Sequence, residues 1–137
     1  MKTFTVGLSE ISLVVNAIVE KIPSGVIILR GNLASGKTTL VQEIVKKLGI
    51  FDDVTSPTFS LQQCYGEKVY HYDMYNHGIE HFISLGMLEE LEKEGYHFVE
   101  WGDDKLYTIL GNAGIKVMCV DIEKSSDDTR EYRIQYA

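Results

Sequence analysis

Eight consecutive residues, Gly31-Asn32-Leu33-Ala34-Ser35-Gly36-Lys37-Thr38, give the full G-x-x-x-x-G-K-[ST] spacing of a phosphate-cradling loop. The chemistry this spacing allows is geometric. Gly31 and Gly36 permit backbone conformations that turn several N–H groups toward one anion, where a Cβ would obstruct. A helix that follows the loop adds free N–H groups and the positive end of its dipole. Lys37 supplies a point charge for the outer phosphates, and the Thr38 hydroxyl a magnesium ligand. The loop predicts a nucleoside triphosphate as ligand, against the plainer alternative of a glycine turn between a strand and a helix.

Hydrolysis asks for more than binding. Magnesium must be held from a second direction, the attacking water positioned, and charge on the departing phosphate neutralised. In open α/β sheets such groups sit at the C-terminal ends of parallel strands. Two acids occupy strand-end positions: Asp73 after Val69-Tyr70-His71-Tyr72, and Glu100 after Phe98-Val99. Burying either without a metal or a donor is costly. Each also has a bland reading, as an acid that caps a loop or meets solvent. Thr55-Ser56-Pro57-Thr58 suits a loop lying over a γ-phosphate, or a simple turn.

The elements that must position these groups are legible as patterns. Phe4 to Val6 is β-prone. Ser9 is placed to cap a helix whose Ile11, Val14, Val15, Ile18, Val19 and Ile22 share one face, ended by Pro23-Ser24-Gly25. Val26 to Leu29 is an unbroken apolar run, as in a strand covered on both faces. Leu40, Val41, Ile44, Val45 and Leu48 form a second helical stripe closed by Gly49. Thr58 to Tyr65 reads as a strand, with a Gly66-Glu67 turn into Val69 to Tyr72. Residues 79–95 read as helix, broken near Gly86; residues 97–99 as strand; residues 105–110 as a short helix. Ile115 to Ile122 and Tyr132 to Tyr136 are β-type. The pattern predicts an α/β fold: a P-loop NTPase-like three-layer sandwich, with a mostly parallel sheet and antiparallel strands at one edge, in a single domain over residues 1–137.

Bulk properties set limits. Of 137 residues, 45% are hydrophobic and 24% charged, as in ordinary globular proteins. No apolar run approaches the roughly 20 residues of a membrane span. Met1-Lys2-Thr3-Phe4 lacks the apolar stretch of a signal peptide, so a cytoplasmic location is expected. Cys64 and Cys119 have no C-x-x-C spacing and read as reduced core or half-buried thiols. The net charge of −7, with Lys46-Lys47 as the longest basic cluster, argues against an unaided grip on nucleic acid.

Taken in order, Gly31 to Thr39, Val54-Thr55-Ser56-Pro57-Thr58-Phe59, Val69-Tyr70-His71-Tyr72-Asp73-Met74-Tyr75 and Val99-Glu100-Trp101 resemble the TsaE (YjeE) family of small bacterial ATPases, over about residues 10–102. The Leu85-Gly86 turn also fits. The phosphate loop alone is shared widely; the S-P-T-F, H-x-D-x-Y and V-E-W combination is specific. The resemblance implies ATP hydrolysis, with Mg2+, on a complex of TsaD with TsaB that makes the threonylcarbamoyl modification of the adenosine beside the tRNA anticodon. Contact with tRNA is then indirect. By the same resemblance Gly31, Leu33, Ala34, Ser35, Gly36 and Lys37 hold phosphates. Thr38 and Glu100 serve magnesium, and Asp73 is a second carboxylate, as base or as orienter of metal-bound water. Thr39 and the Thr55 to Thr58 loop sense the γ-phosphate, Trp101 shapes the site or a partner contact, and Ser12 aligns with a Thr near the base. Members usually read G-D-L-G-A-G-K-T, so Asn32 and Ala34 are departures, as is Asn76 where an Arg is usual.

Other readings remain open at this level. A small-molecule kinase would need an Arg-rich lid, and the chain has only Arg30, Arg130 and Arg133. A non-hydrolysing nucleotide switch would use the same loop. Among the histidines only His77 and His81 have a metal-like i, i+4 spacing, and they read as surface residues. Tyr70, Tyr72 and Tyr75 read as half-buried strand packing, and Glu89, Glu90, Glu92 and Glu94 as a solvated helix face.

Overall fold

Val26, Ile27, Ile28 and Leu29 are all fully buried, which is why their run lacks polar alternation. The computed structural model describes residues 2–32, 35–52, 54, 62–75 and 78–136. Within them, β1 (Lys2–Val6), β2 (Gly25–Arg30), β3 (Gln62–Tyr65), β4 (Val69–Asp73), β5 (Tyr96–Glu100), β6 (Val117–Lys124) and β7 (Arg130–Tyr136) form one sheet, ordered β1-β7-β6-β2-β5-β4-β3. The central strands β6, β2, β5 and β4 are parallel. Antiparallel strands occur at both edges rather than one, because two hairpins flank the parallel core: β3–β4 on one side, and β6–β7 with β1 added on the other.

Helices cover both faces. On one, Val14, Val15 and Ile18 of α1 (Ser12–Lys21) and Leu40, Val41 and Ile44 of α2 (Lys37–Lys47) meet Ile27, Leu29, Phe98 and Met118. On the other, Ile79 and Phe82 of α3 (Ile79–Ser84), with Leu106 and Leu110 of α5 (Asp104–Asn112), meet Val26, Ile28, Tyr72 and Val99. Met87 and Leu88 of the short α4 (Met87–Glu90) pack against the same cluster. These are the three expected layers.

Several local expectations shift. Ser9 caps nothing: it lies in a 3-10 turn, Leu8–Glu10, and Ile11 takes the N-cap of α1 without a side-chain cap. Burial of Ile11 in the core decides that entry. The helical reading of residues 79–95 breaks at Gly86, which is left-handed at φ 76°, and helix stops at Glu90. Glu92 and Glu94 therefore sit on an exposed turn. Tyr72 is fully buried and Tyr75 lies beyond the strand, 48% exposed, so half-buried strand packing fits neither. Cys119 is buried, its thiol pushed up to about 12 by burial, whereas Cys64 is exposed, against the core or half-buried reading. Among the described residues no helix is long and apolar enough to cross a membrane.

Strand alternation assigns the two faces their chemistry. With side chains pointing alternately up and down, His71, Asp73 and Glu100 fall on the parity of Val69, Tyr96 and Phe98, the α2 face. Tyr72 and Val99 fall on the other. There Tyr72 meets His97, whose Nδ1 accepts the Tyr72 hydroxyl at 2.8 Å while Nε2–H donates to Lys93 O at 2.8 Å. Burial lowers the His97 pKa below the ordinary 6.5; the Lys93 carbonyl and Glu90 oppose this, and the Lys93 charge adds to it. A lowered folded-state value means the unfolded chain takes the proton first. The stability that His97 contributes is complete above pH about 6.5 and is lost as pH falls from there toward the folded value. The urea midpoint is expected to drop between about pH 7 and about pH 5, and to drop less in His97→Phe; parallel slopes would contradict this.

Candidate functional site

β2 ends at Arg30, and the chain turns at Gly31 with φ 154°. A Cβ there would stand 2.5 Å from Ile122 O and 2.6 Å from Ser35 Oγ, so both space and backbone require glycine. Gly36, left-handed at φ 109°, is the N-cap of α2 and provides no side-chain cap. The first amides of α2 precede its first i→i−4 bond, Leu40 N–H to Gly36 O, and so face the loop as donors. Ser35 is 6% exposed, and its Oγ has no hydrogen-bond partner among the described residues. Leu33 and Ala34 lie outside the described residues, as do Thr58 and the rest of the Thr55 to Thr58 segment, Asn76 and His77.

Lys37 opens α2 yet is only 5% exposed. Its Nζ donates to Gly31 O at 2.7 Å and Asn32 O at 3.0 Å, and lies 4.1 Å from the centre of the Trp101 ring. Burial lowers the Lys37 pKa from its ordinary value, while Glu100 and then Asp73 pull it back up. The ammonium therefore lies in the field of both strand-end acids. Trp101 takes φ 67°, the only positive φ on a described residue other than glycine, and its N–H bonds Leu29 O at 2.9 Å. Such strain, about 1–3 kcal/mol, collects at functional sites. Its ring also meets Tyr75 at 4.8 Å.

The two acids come together as the topology requires. Asp73 and Glu100 are register partners at the ends of the parallel pair β4–β5. They are 5% and 3% exposed. The Thr38 hydroxyl donates to Glu100 Oε2 at 3.1 Å, joining the start of α2 to the tip of β5. Asp73 Oδ1 accepts Tyr75 N–H at 2.7 Å, so its loop-capping role and its place beside Glu100 hold at once.

A family model described as "Threonylcarbamoyl adenosine biosynthesis protein TsaE" matches residues 8–132. The chain belongs to the TsaE family. Proteins named "tRNA threonylcarbamoyladenosine biosynthesis protein TsaE" are similar to it: one of Treponema pallidum at 38% identity over 57% of this chain and 60% of that one, and one of Bacillus subtilis at 33% over 80% and 68%. A third, of Nostoc, is 37% identical over 60% of this chain and 55% of its own length. The matches thus span little more than half of the Treponema and Nostoc relatives. The fold is that of the crystal structure of Bacillus subtilis YdiB, with TM-score 0.69 and 22% identity over 99% of this chain and 84% of that one.

In this TsaE chain the sheet also delivers residues that sequence spacing did not single out. Arg130, at the start of β7, donates from Nε to Ser35 O at 3.0 Å and so holds the loop from its far side. A cavity of about 320 Å³ opens there, lined by Ser35, Gly36, Thr39, Leu8, Asp128 and Arg130 among others. Thr39 lines that cavity beside Ser35 and Gly36. Ser12 is the exposed first residue of α1; from that end of the chain it is Leu8 that lines the cavity. His71, 0% exposed, contacts Glu100 Oε2 through Nε2 at 2.5 Å. No local pattern marks Arg130, which lies 95 residues from Ser35.

The residues fit a polyphosphate and its magnesium. Ser35 Oγ is a buried polar atom without a partner among the described residues, inside a loop that a Cβ at Gly31 would fill. Among the described residues no group of three or more His, Cys, Asp and Glu could itself cage a metal. Thr38 Oγ and the Glu100 carboxylate are two adjacent protein oxygens, the number magnesium takes beside phosphates and water.

Proposed function

We propose that this chain binds and hydrolyses Mg–ATP, in the service of tRNA threonylcarbamoyladenosine biosynthesis, on a TsaD–TsaB complex. The observation that carries the ATPase reading is the Thr38–Glu100 hydrogen bond, at 3.1 Å, beside a lysine seated in a glycine loop. The tRNA pathway and partners rest on family membership.

The α2 amides and Lys37 Nζ hold the phosphate oxygens, and Lys37 neutralises charge as it moves onto the leaving oxygen. Thr38 Oγ would offer a lone pair to magnesium while keeping its own proton, which it donates to Glu100 Oε2. Magnesium supplies charge neutralisation across the phosphates. Asp73, one strand over, orients the attacking water or takes its proton. Trp101 excludes water from one side of Lys37, and the cavity by Thr39 and Arg130 takes the nucleoside. With a net charge of −7, the chain reaches tRNA only through its partners.

Phosphate release from ATP should be slow for the isolated protein and should rise on mixing with TsaD–TsaB. No change in turnover on mixing would sink the partner assignment. Transfer of labelled phosphate to a small metabolite would replace hydrolysis with kinase chemistry.

A further inference from the structure

The histidine beside Glu100 has a role that neither loop nor acid explains. His71 is 0% exposed and bonded at both ring nitrogens. Nε2 lies 2.5 Å from Glu100 Oε2, and an ionised carboxylate only accepts, so the imidazole donates there. Nδ1 therefore accepts the single Tyr65 hydroxyl proton at 2.8 Å, and that hydroxyl oxygen also lies 2.8 Å from the Gln63 side-chain amide. The three side chains form a line across adjacent strands, with Gln63 opposite His71 in the β3–β4 register. The line ends on the β5 acid.

Its effect on Glu100 is specific. Thr38 and His71 both bond Oε2, and no described residue donates to Oε1. Two donors on one oxygen fix the plane of the carboxylate and leave the other oxygen for a cation. A single Thr38 bond would leave the side chain free to rotate about its last torsion, which is broad.

We propose that His71 is a positioning residue, which locks Glu100 through Oε2 so that Oε1 is presented to a divalent cation next to Thr38. This rests on the reading of Glu100 as the metal carboxylate. Partners of this kind tune metal affinity by about 10–100-fold when removed.

The test uses Mn2+ as the probe, titrated into protein saturated with ADP and followed by electron paramagnetic resonance; ADP affinity is measured separately in EDTA. His71→Leu keeps an apolar filling and removes the donor; His71→Gln returns an N–H at similar reach. His71→Leu should weaken Mn2+ by about 10–100-fold with ADP affinity in EDTA unchanged, and His71→Gln should restore most of it. Wild-type Mn2+ affinity in His71→Leu, or equal loss in both variants, overturns the proposal. If His71→Leu fails to fold, Tyr65→Phe and His71→Gln carry the comparison: weaker Mn2+ in the former alone supports the line of side chains, and any other order overturns it. Wild-type protein that takes no Mn2+ with nucleotide removes the metal assignment of Glu100 itself, a separate failure from that of His71.

Discussion

Lys37→Ala is expected to remove most nucleotide affinity. The Lys37 ammonium is the one cation the glycine loop itself provides, with Nζ 2.7 Å from Gly31 O. Hydrogen bonds to charged groups contribute about 1.5–3 kcal/mol each. At 1.4 kcal/mol per tenfold, losing one such contact weakens ATP about 10–100-fold, and losing two weakens it further. The folded chain should tolerate the change, because burial already disfavours the Lys37 charge. Calorimetry on ATP and a melting curve thus separate the site from the scaffold. The lowered Lys37 pKa adds a signature: phosphate restores the proton, so wild-type binding takes up protons at alkaline pH below the ordinary 10.5, and Lys37→Ala does not. ATP bound as tightly by Lys37→Ala as by wild type would mean that the phosphates meet some other surface.

Glu100→Gln and Asp73→Asn should each cut turnover far more than binding. Both changes keep shape and an accepting oxygen, so the Thr38 and Tyr75 bonds can persist. What goes is a negative charge at a site that is 3% or 5% exposed. Losing one preorganised electrostatic contact costs about 3–4 kcal/mol at the transition state. The expectation is a kcat lower by about 10²–10³ with KM for ATP little altered. Glu100→Gln should also raise the magnesium needed for half-maximal turnover, whereas Asp73→Asn should not. Near-normal turnover in both would remove the two acids from the chemistry.

The parts of this site that local spacing encodes were readable in the chain. The G-x-x-x-x-G-K-T spacing fixes Lys37 and Thr38 within one helical turn, and the apolar runs before Asp73 and Glu100 fix strand ends. That these acids face α2 follows from strand parity once the β4–β5 register pairs Asp73 with Glu100. Register is a tertiary fact, however, and so the His71–Glu100 contact was not legible. Arg130 and the cavity beside Thr39 were hidden for the same reason: β7 reaches the loop only through the order of the sheet. Ser9 misled because its hydroxyl matched a cap preference, while burial of Ile11 decided where α1 begins. The helix after Gly86 stops at Glu90, and further on the Lys93 carbonyl accepts from the buried His97 ring, a partner 4 residues later that helical periodicity does not mark.

The central claim is that Thr38 and Glu100 hold one divalent cation over phosphates seated on Lys37. A crystal structure with a non-hydrolysable ATP analogue and Mn2+, read by the anomalous signal of manganese, tests it most directly. The account predicts a single strong peak between Thr38 Oγ and the Glu100 carboxylate, with the terminal phosphates at Lys37 Nζ. A peak away from Glu100, or an analogue seated away from the Gly31–Thr38 loop, would contradict it.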